Sequence, residues 1–244
     1  MNQKNFTKTN PFFNKKLFEV KWKNPGSQLG SSSCDPSLAH YILGKREKAN
    51  IFDFDYTLIN MERCLKLVSR IVESKGKILI VSTDPSSSLI VKKVGQLSDQ
   101  PFIHSKWANG LLTNWKQIIP HKQNSEFKSN RTQYGISIMT KLPDAIIIVN
   151  PHENADAIRE ARKLNIPVIS FLNMKKKSNS KSEIKLNQID YPIPSNGSST
   201  HVIYFFFDLF VRIIRRSSRL AHFNQTVYQY NYTFPNKLSY FYKY

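Results

Sequence analysis

Residues 142–173 constrain the fold of this chain more than any other stretch. Within them, residues 145–149 (AIIIV) are an unbroken apolar and largely β-branched run. Such a run is typical of a strand that is buried on both faces, as in a parallel sheet. Asn150 and Pro151 end this strand, because a proline cannot donate to a ladder.

A helix and a second strand follow directly. Residues 157–164 repeat apolar side chains at helical spacing, with Glu160 and the neighbouring charges expected on the outer side. Residues 168–171 (VISF) form the next apolar run. A strand, a helix and a strand joined this tightly predict a right-handed βαβ unit, so we expect a parallel sheet covered by helices.

Similar patterns recur on both sides of this unit. Apolar runs alternate with amphipathic stretches, and Asp84-Pro85 is a typical helix start. The patterns predict strands at 49–54, 77–81 and 102–103, and helices at 58–74, from 83–85 to about 97, and at 199–220.

The charge of the chain points to a polyanionic partner. The 244 residues carry a formal net charge of +19, which favours nucleic acid first and an anionic membrane second. The longest apolar run, residues 202–214, is interrupted by charges and is shorter than the ~20 residues that span a bilayer, so we interpret it as a core helix. Cys34 and Cys64 are isolated and imply no disulfide framework.

Basic and aromatic residues are interspersed at both ends, and we divide the chain into residues 1–25, 26–220 and 221–244 accordingly. The N-terminal segment is either a disordered tail or an arm that orders on RNA, with lysines on phosphates and rings on bases. The C-terminal segment is rich in tyrosine and looks like a second extension of this kind. Between the expected helices and strands, the polar and irregular composition of residues 106–116 predicts that they lie outside the core.

One motif favours an enzyme. Residues 51–58 (IFDFDYTL) resemble the DxDxT motif of haloacid-dehalogenase-type phosphatases. The resemblance implies that Asp53 is a nucleophile and metal ligand, and that Asp55 is a general acid/base. Ser82 or Thr83 would then supply the hydroxyl that contacts the phosphoryl group.

The remainder of that site fits less well. Magnesium prefers anionic oxygen ligands, but the strand end that should carry them has the neutral amide Asn150. Asp156 comes a turn later without a paired acid, and Tyr56 stands where the phosphatases have glycine.

A second resemblance covers far more of the chain. Residues 106–116 (KWANGLLTNWK) are similar to the RWxGGxLTNxK signature of the S-two family of small-subunit ribosomal proteins, of the bacterial and organellar type. Residues 142–150 resemble that family's LPDA strand, residues 158–169 its IxEAxxLxIPVI helix and strand, and residues 191–196 its YPIPGN turn. The motifs follow one another in the family's order from about residue 26 to residue 220.

The same resemblance also accounts for the DxD stretch, but parts of the chain depart from the family pattern. Residues 50–67 match the family's IINLEKT strand and helix, and residues 76–83 match its GKILFVGT strand. Residues 26–31 replace a pattern that carries two histidines, and only residues 115–141 are available for the family's long helical hairpin. We therefore expect that hairpin to be shortened or absent, and the departures resemble mitochondrial rather than plastid members.

The resemblance implies a three-layer α/β/α fold with a mostly parallel, flavodoxin-like sheet of roughly five strands. It implies a structural role in the small ribosomal subunit, without catalysis, cofactor, metal or small-molecule substrate. The partners would be small-subunit rRNA and neighbouring ribosomal proteins, between head and body near the mRNA exit.

Folded RNA such as rRNA is bound mainly through its phosphates and its shape. Trp107 has an alternative role, as a ring that packs on the domain's own sheet edge. The candidate RNA-binding residues are Lys106, Trp107, Asn109, Asn114, Lys116, Lys122, Lys128, Arg131, Lys175, Lys176, Lys177, Arg215, Arg216 and Arg219.

Overall fold

The computed structural model describes residues 15–23, 26–32, 36–117, 134–136, 138–172 and 186–233. The strands are Ile42–Arg46 (β1), Ala49–Phe52 (β2), Ile78–Val81 (β3), Phe102–Ile103 (β4), Ala145–Ile148 (β5), Val168–Leu172 (β6) and Tyr191–Pro194 (β7). The α-helices are Lys15–Lys23 (α1), Phe54–Glu73 (α2), Pro85–Ser98 (α3), Ala155–Lys163 (α4) and Thr200–Thr233 (α5). The predicted shortening of the helical hairpin concerns residues that lie largely outside these ranges.

Five strands form one parallel sheet in the order β4-β3-β5-β6-β7. The chain starts this sheet at β3, adds β4 on one side and then adds β5, β6 and β7 on the other. This order is that of flavodoxin-like folds. The prediction of a three-layer α/β/α fold with a parallel sheet is confirmed, and so is the βαβ unit formed by β5, α4 and β6.

Side chains alternate between the two faces of the sheet and create two cores. In β3, Ile78 and Ile80 belong to the first core, whereas Leu79 and Val81 belong to the second. Because successive side chains of a strand point to opposite faces, an unbroken apolar run supplies both cores at once. Helices α2, α3 and α5 cover the first face, and α4 lies on the second.

Helix α2 begins earlier than the sequence pattern predicts. Asp53 occupies the N-cap position, and its carboxylate accepts a hydrogen bond from the Asp55 amide at 2.8 Å. A capping carboxylate at a helix N-terminus is stabilising, and it starts the helix at Phe54 rather than at Leu58. Asp84 caps α3 in the same way, as the Asp84-Pro85 pair predicts.

The predicted first strand lies outside the parallel sheet. Residues 49–52 form β2, which pairs with β1 in a separate antiparallel two-stranded sheet. The two strands are joined by a tight turn in which Glu47 has a φ of 54°. We call this pair of strands the β1–β2 ribbon.

Helix α1 lies in the segment that the sequence analysis assigned to a basic extension. Phe18 and Trp22 are buried in the first core, and Trp22 is only 1% exposed. Their rings stack with centroids 5.6 Å apart, and the Phe205 ring packs 5.6 Å from Phe18 and 5.7 Å from Trp22. These two aromatic side chains are thus part of the domain core and not of an arm that offers its rings to RNA bases.

Helix α5 confirms the predicted apolar face and is longer than expected. Val202, Phe206, Phe210 and Ile213 are buried, as the helical spacing of the run predicts. The helix continues to Thr233 rather than ending near residue 220, so residues 221–233 are helical where the sequence analysis expects an extension. None of the described helices is long and apolar enough to cross a membrane.

The packing of α5 leads to a stability prediction. Phe206 is fully buried and packs against Phe171 of β6, with ring centroids 5.0 Å apart. We expect Phe206→Ala to lower the free energy of unfolding by about 3–5 kcal/mol, because it leaves a cavity between helix and sheet. Tyr204→Ala on the same helix is the matched control, since that side chain is 64% exposed. Urea denaturation should show a large shift for the first variant and almost none for the second; equal shifts would contradict the packing.

Candidate nucleic-acid interface

The signature segment, residues 106–116, covers the second core. Trp107, Leu111, Leu112 and Trp115 are buried against β3, β5 and α4. The expectation that this segment is too polar for a core is therefore wrong. Its apolar residues are spaced irregularly because the segment consists of turns rather than one regular helix or strand, so no period reveals which side chains point inwards.

The carboxylate of Glu160 fixes the signature segment against α4 through hydrogen bonds. Glu160 lies on α4 and is only 8% exposed. Its Oε1 accepts hydrogen bonds from Trp107 Nε1 at 3.0 Å and from the Gly110 amide at 2.7 Å. Its Oε2 accepts from the Leu112 amide at 2.9 Å and from the Thr113 amide at 3.4 Å. A buried carboxylate is tolerated only when its oxygens are satisfied in this way, and the segment supplies all four donors.

Gly110 allows the backbone to turn around this carboxylate. Its φ of +84° lies in the left-handed region, where a side chain is strained. A Cβ at this position would come within 3.0 Å of Asn114 Nδ2. The Gly110 carbonyl also accepts a hydrogen bond from the Asn114 amide at 2.8 Å, which closes the turn. The glycine of the signature is therefore needed for the shape of the segment.

The remaining side chains of the segment face solvent. Lys106, Asn109, Asn114 and Lys116 are all exposed, so four of the predicted RNA-binding residues are accessible on this one segment. Trp107 is the exception, since its ring is 7% exposed and bonded to Glu160. For this residue the structure corresponds to the alternative role, in which the ring packs on the sheet.

The other predicted residues lie elsewhere. Arg215, Arg216 and Arg219 are exposed on α5, which covers the first face of the sheet, whereas the signature segment covers the second. The arginines and the signature segment are therefore on opposite sides of the sheet. The rest lie outside the described residues: Lys122, Lys128, Arg131, Lys175, Lys176 and Lys177.

The structure does not assemble the phosphatase site that the DxD motif suggests. Thr57, in the first turn of α2, donates a hydrogen bond to the Pro194 carbonyl at the end of β7 at 2.7 Å. Asp53 and Asp55 thus lie near β7, whereas Thr83 follows β3. Strands β5 and β6 lie between β3 and β7 in the sheet. Three strand spacings amount to roughly 14 Å, too far for a nucleophile and a phosphate-binding hydroxyl to act on one group.

The polar residues at the end of β3 are engaged in local structure instead. The Ser82 hydroxyl lies 2.5 Å from that of Ser87, and both side chains are buried. Burial raises the pKa of Asp84, but hydrogen bonds from Ser86 and Asn150 outweigh this effect and keep the pKa below its usual value. Asp84 therefore remains a charged cap for α3. Within the described residues, no group of three or more His, Cys, Asp or Glu side chains could hold a metal ion.

Glu160 is the functional residue that the sequence analysis missed, since it was expected on the outer side of its helix. Glu160 follows Ala157 by three residues and precedes Leu164 by four, which places it on the apolar stripe of α4. An acid on an apolar stripe indicates a buried hydrogen-bond acceptor.

Substitution of Glu160 tests the role of this carboxylate. Each buried donor left without a partner costs about 1–3 kcal/mol, so we expect Glu160→Ala to lower the free energy of unfolding by at least about 3 kcal/mol. Asp156→Ala on the same helix is the control, because its ion pair with Arg159 is exposed to solvent and contributes at most about 1 kcal/mol. A urea titration that gives the same midpoint for the two variants would show that the carboxylate does not hold the segment.

Comparison with known proteins identifies a family. The family model described as Ribosomal protein S2 matches residues 26–133 and 119–217. The small ribosomal subunit protein uS2m of Marchantia polymorpha is 28% identical over 230 residues, which cover 85% of this chain and 95% of that protein. The small ribosomal subunit protein uS2 of Brucella ovis is 30% identical over 203 residues, which cover 73% of this chain and 77% of that protein.

These matches span most of the chain and include the signature segment, the βαβ unit and most of the α5 apolar face. They support a structural constituent of the small ribosomal subunit, and this family is not an enzyme family. The chain therefore belongs to the ribosomal protein S2 family.

Proposed function

We propose that this protein is a structural constituent of the small subunit of a mitochondrial ribosome. There it binds small-subunit rRNA and neighbouring ribosomal proteins between head and body, near the mRNA exit, and it catalyses no reaction. The observation that carries this proposal is the signature segment, which presents exposed cationic and amide side chains on a backbone fixed by Glu160.

The segment is suited to folded RNA for two reasons. Lys106 and Lys116 supply positive charge for phosphates, and Asn109 and Asn114 supply amide donors and acceptors for sugars and base edges. Because the backbone between them is tied to the core, the positions from which these side chains extend are fixed before the RNA arrives. A preorganised surface binds with a smaller loss of conformational entropy than a mobile loop does.

The overall charge supports the same partner. A net charge of +19 over 244 residues attracts any polyanion over long distances and makes binding sensitive to salt. The mitochondrial assignment is supported by the Marchantia protein uS2m, to which the chain is similar over 95% of that protein's length. Bacterial relatives have comparable identity, so the compartment requires its own measurement.

Sedimentation of the tagged full-length protein tests the proposal directly. We expect the protein to migrate with small subunits in a sucrose gradient of a mitochondrial extract, and to leave that fraction when magnesium depletion dissociates the particle. A protein that stays at the top of the gradient would contradict the ribosomal role. Migration with small subunits of plastids, or with those of the cytoplasm, would contradict the mitochondrial assignment alone.

The signature segment can be tested within the same experiment. We expect Lys106→Gln with Lys116→Gln to leave the urea midpoint nearly unchanged, because both side chains are exposed, and to lower the fraction of protein in small subunits. Lys106→Arg with Lys116→Arg preserves the charge and should restore incorporation. If the glutamine variant incorporates as well as the wild type, the segment is not the RNA contact.

The absence of catalysis is also open to measurement. We expect the purified protein to show no magnesium-dependent hydrolysis of an aryl phosphate, because Asp53 and Asp55 lie away from Ser82 and Thr83. The control is Asp53→Asn, which changes the proposed nucleophile while keeping a capping side chain for α2. A turnover that disappears in this variant would contradict the proposal.

A further inference from the structure

The β1–β2 ribbon has an anchored base. Phe52 is 1% exposed and packs with Leu38, Leu172 and Ile189 in a third apolar cluster. An isolated bridge joins Leu29 to Ile51 on the side of β2 that faces away from β1. A two-stranded ribbon is marginal by itself, and these contacts fix it beside the ends of β6 and β7.

The tip of the ribbon extends into solvent. Every residue of β1 after Ile42 is exposed, and the Leu43 side chain is 72% exposed. Gly44 has open space around it, since a Cβ placed there would meet no atom within 4 Å. The outer edge of β1 pairs with no other strand of the described chain. The ribbon therefore projects both an apolar side chain and an accessible backbone.

Three cations lie close together at the tip, and none of them is paired within the part of the chain that the structure describes. Lys45, Arg46 and Lys48 are exposed, and the only acid among them is Glu47. None of the three forms an ion pair with another residue in the described ranges. Some cations elsewhere in the described chain are neutralised by acids: Lys66 pairs with Glu62, Lys77 with Asp99, and Arg162 with Asp190. What distinguishes the tip is that three unpaired cations lie within four consecutive positions. The tip is thus a surface where positive charge is left uncompensated.

Protection of an edge strand explains only part of this pattern. Lysines and a bulge are common means of preventing edge-to-edge pairing, and the β1–β2 register does shift between Ile42 and Gly44. Such protection does not require a leucine that is 72% exposed next to the charges. Cations beside an exposed apolar side chain instead match the chemistry of an RNA strand, which presents phosphates next to riboses and base faces.

We propose that the tip of the β1–β2 ribbon is a second RNA-binding surface, separate from the signature segment. Lys45, Arg46 and Lys48 contact backbone phosphates, and Leu43 packs on an adjacent ribose or base. This inference rests on the proposed function, because it takes the RNA to be that of the small subunit.

Binding of the full-length protein to a transcript of the small-subunit rRNA, measured by filter binding over a series of KCl concentrations, tests the cations. Each phosphate contact adds about 0.7 to 0.9 to the magnitude of the log-log salt slope. We expect Lys45→Gln, Arg46→Gln and Lys48→Gln together to reduce that magnitude by roughly 2 to 3, and to weaken binding about 10- to 100-fold at low salt.

Two control variants separate the ribbon from overall charge. Lys92→Gln, Lys93→Gln and Lys163→Gln remove the same charge from exposed positions on α3 and α4, and should change the slope much less. Glu47→Gln raises the charge of the tip and should strengthen binding. Equal slopes for the two triple variants, or weaker binding of Glu47→Gln, would overturn the proposal.

A photo-reactive amino acid in place of Leu43 identifies the partner in assembled subunits. We expect crosslinks to rRNA, and few from the same group at Leu89, which is 77% exposed on α3. Crosslinks only to a protein would overturn the proposal in favour of strand pairing at the β1 edge, and crosslinks to neither would overturn it outright.

If the wild type does not enter small subunits, the proposed function fails; if it enters them and the tip variants behave like the wild type, only this inference fails.

Discussion

The strands of the parallel sheet are buried on both faces, and the rest of the structure depends on how those two faces are covered. On the first face α2, α3 and α5 supply helices whose apolar stripes fit the sheet. On the second face α4 is short, and the signature segment completes the cover. A segment made of turns exposes backbone amides, which need acceptors when they are buried. The Glu160 carboxylate supplies these acceptors, so one buried charge allows an irregular segment to act as part of a core.

The proposed RNA contact would use the same backbone that holds the cover on the sheet. The side chains of the signature segment that point inwards hold it on the sheet, and those that point outwards are Lys106, Asn109, Asn114 and Lys116. Because both sets lie on the same short backbone, the contacts that hold the inward side chains also fix the positions from which the exposed side chains extend. A family signature that mixes tryptophan, glycine, leucine and asparagine is then explained by two requirements that act on one segment.

The sequence alone predicted the strands of the parallel sheet, but it did not predict all of the segments that cover the sheet. Unbroken apolar runs predicted β3, β5 and β6, since such short β-branched runs are typical of strands buried on both faces. Three features could not be read in this way. Glu160 has its acceptor role only once the segment folds against it, α1 contributes Phe18 and Trp22 to the core, and the Asp53 motif caps a helix rather than forming a site. For Glu160 and α1 the deciding contacts join residues far apart in the chain. For Asp53 the contact is local, but the same short motif fits both a helix cap and a catalytic site.

Amide hydrogen exchange of the wild-type protein and of Glu160→Gln tests the central claim, that this carboxylate fixes the signature segment. We predict that the amides of Gly110 and Leu112 are protected in the wild type and exchange at least about tenfold faster in the variant, because an amide side chain replaces one acceptor oxygen by a donor. The amides of β5 serve as the internal reference and should keep most of their protection. If the Gly110 and Leu112 amides exchange equally fast in the two proteins, the carboxylate does not fix the segment and the account is wrong. The same holds if their exchange rates change only as much as those of the β5 amides.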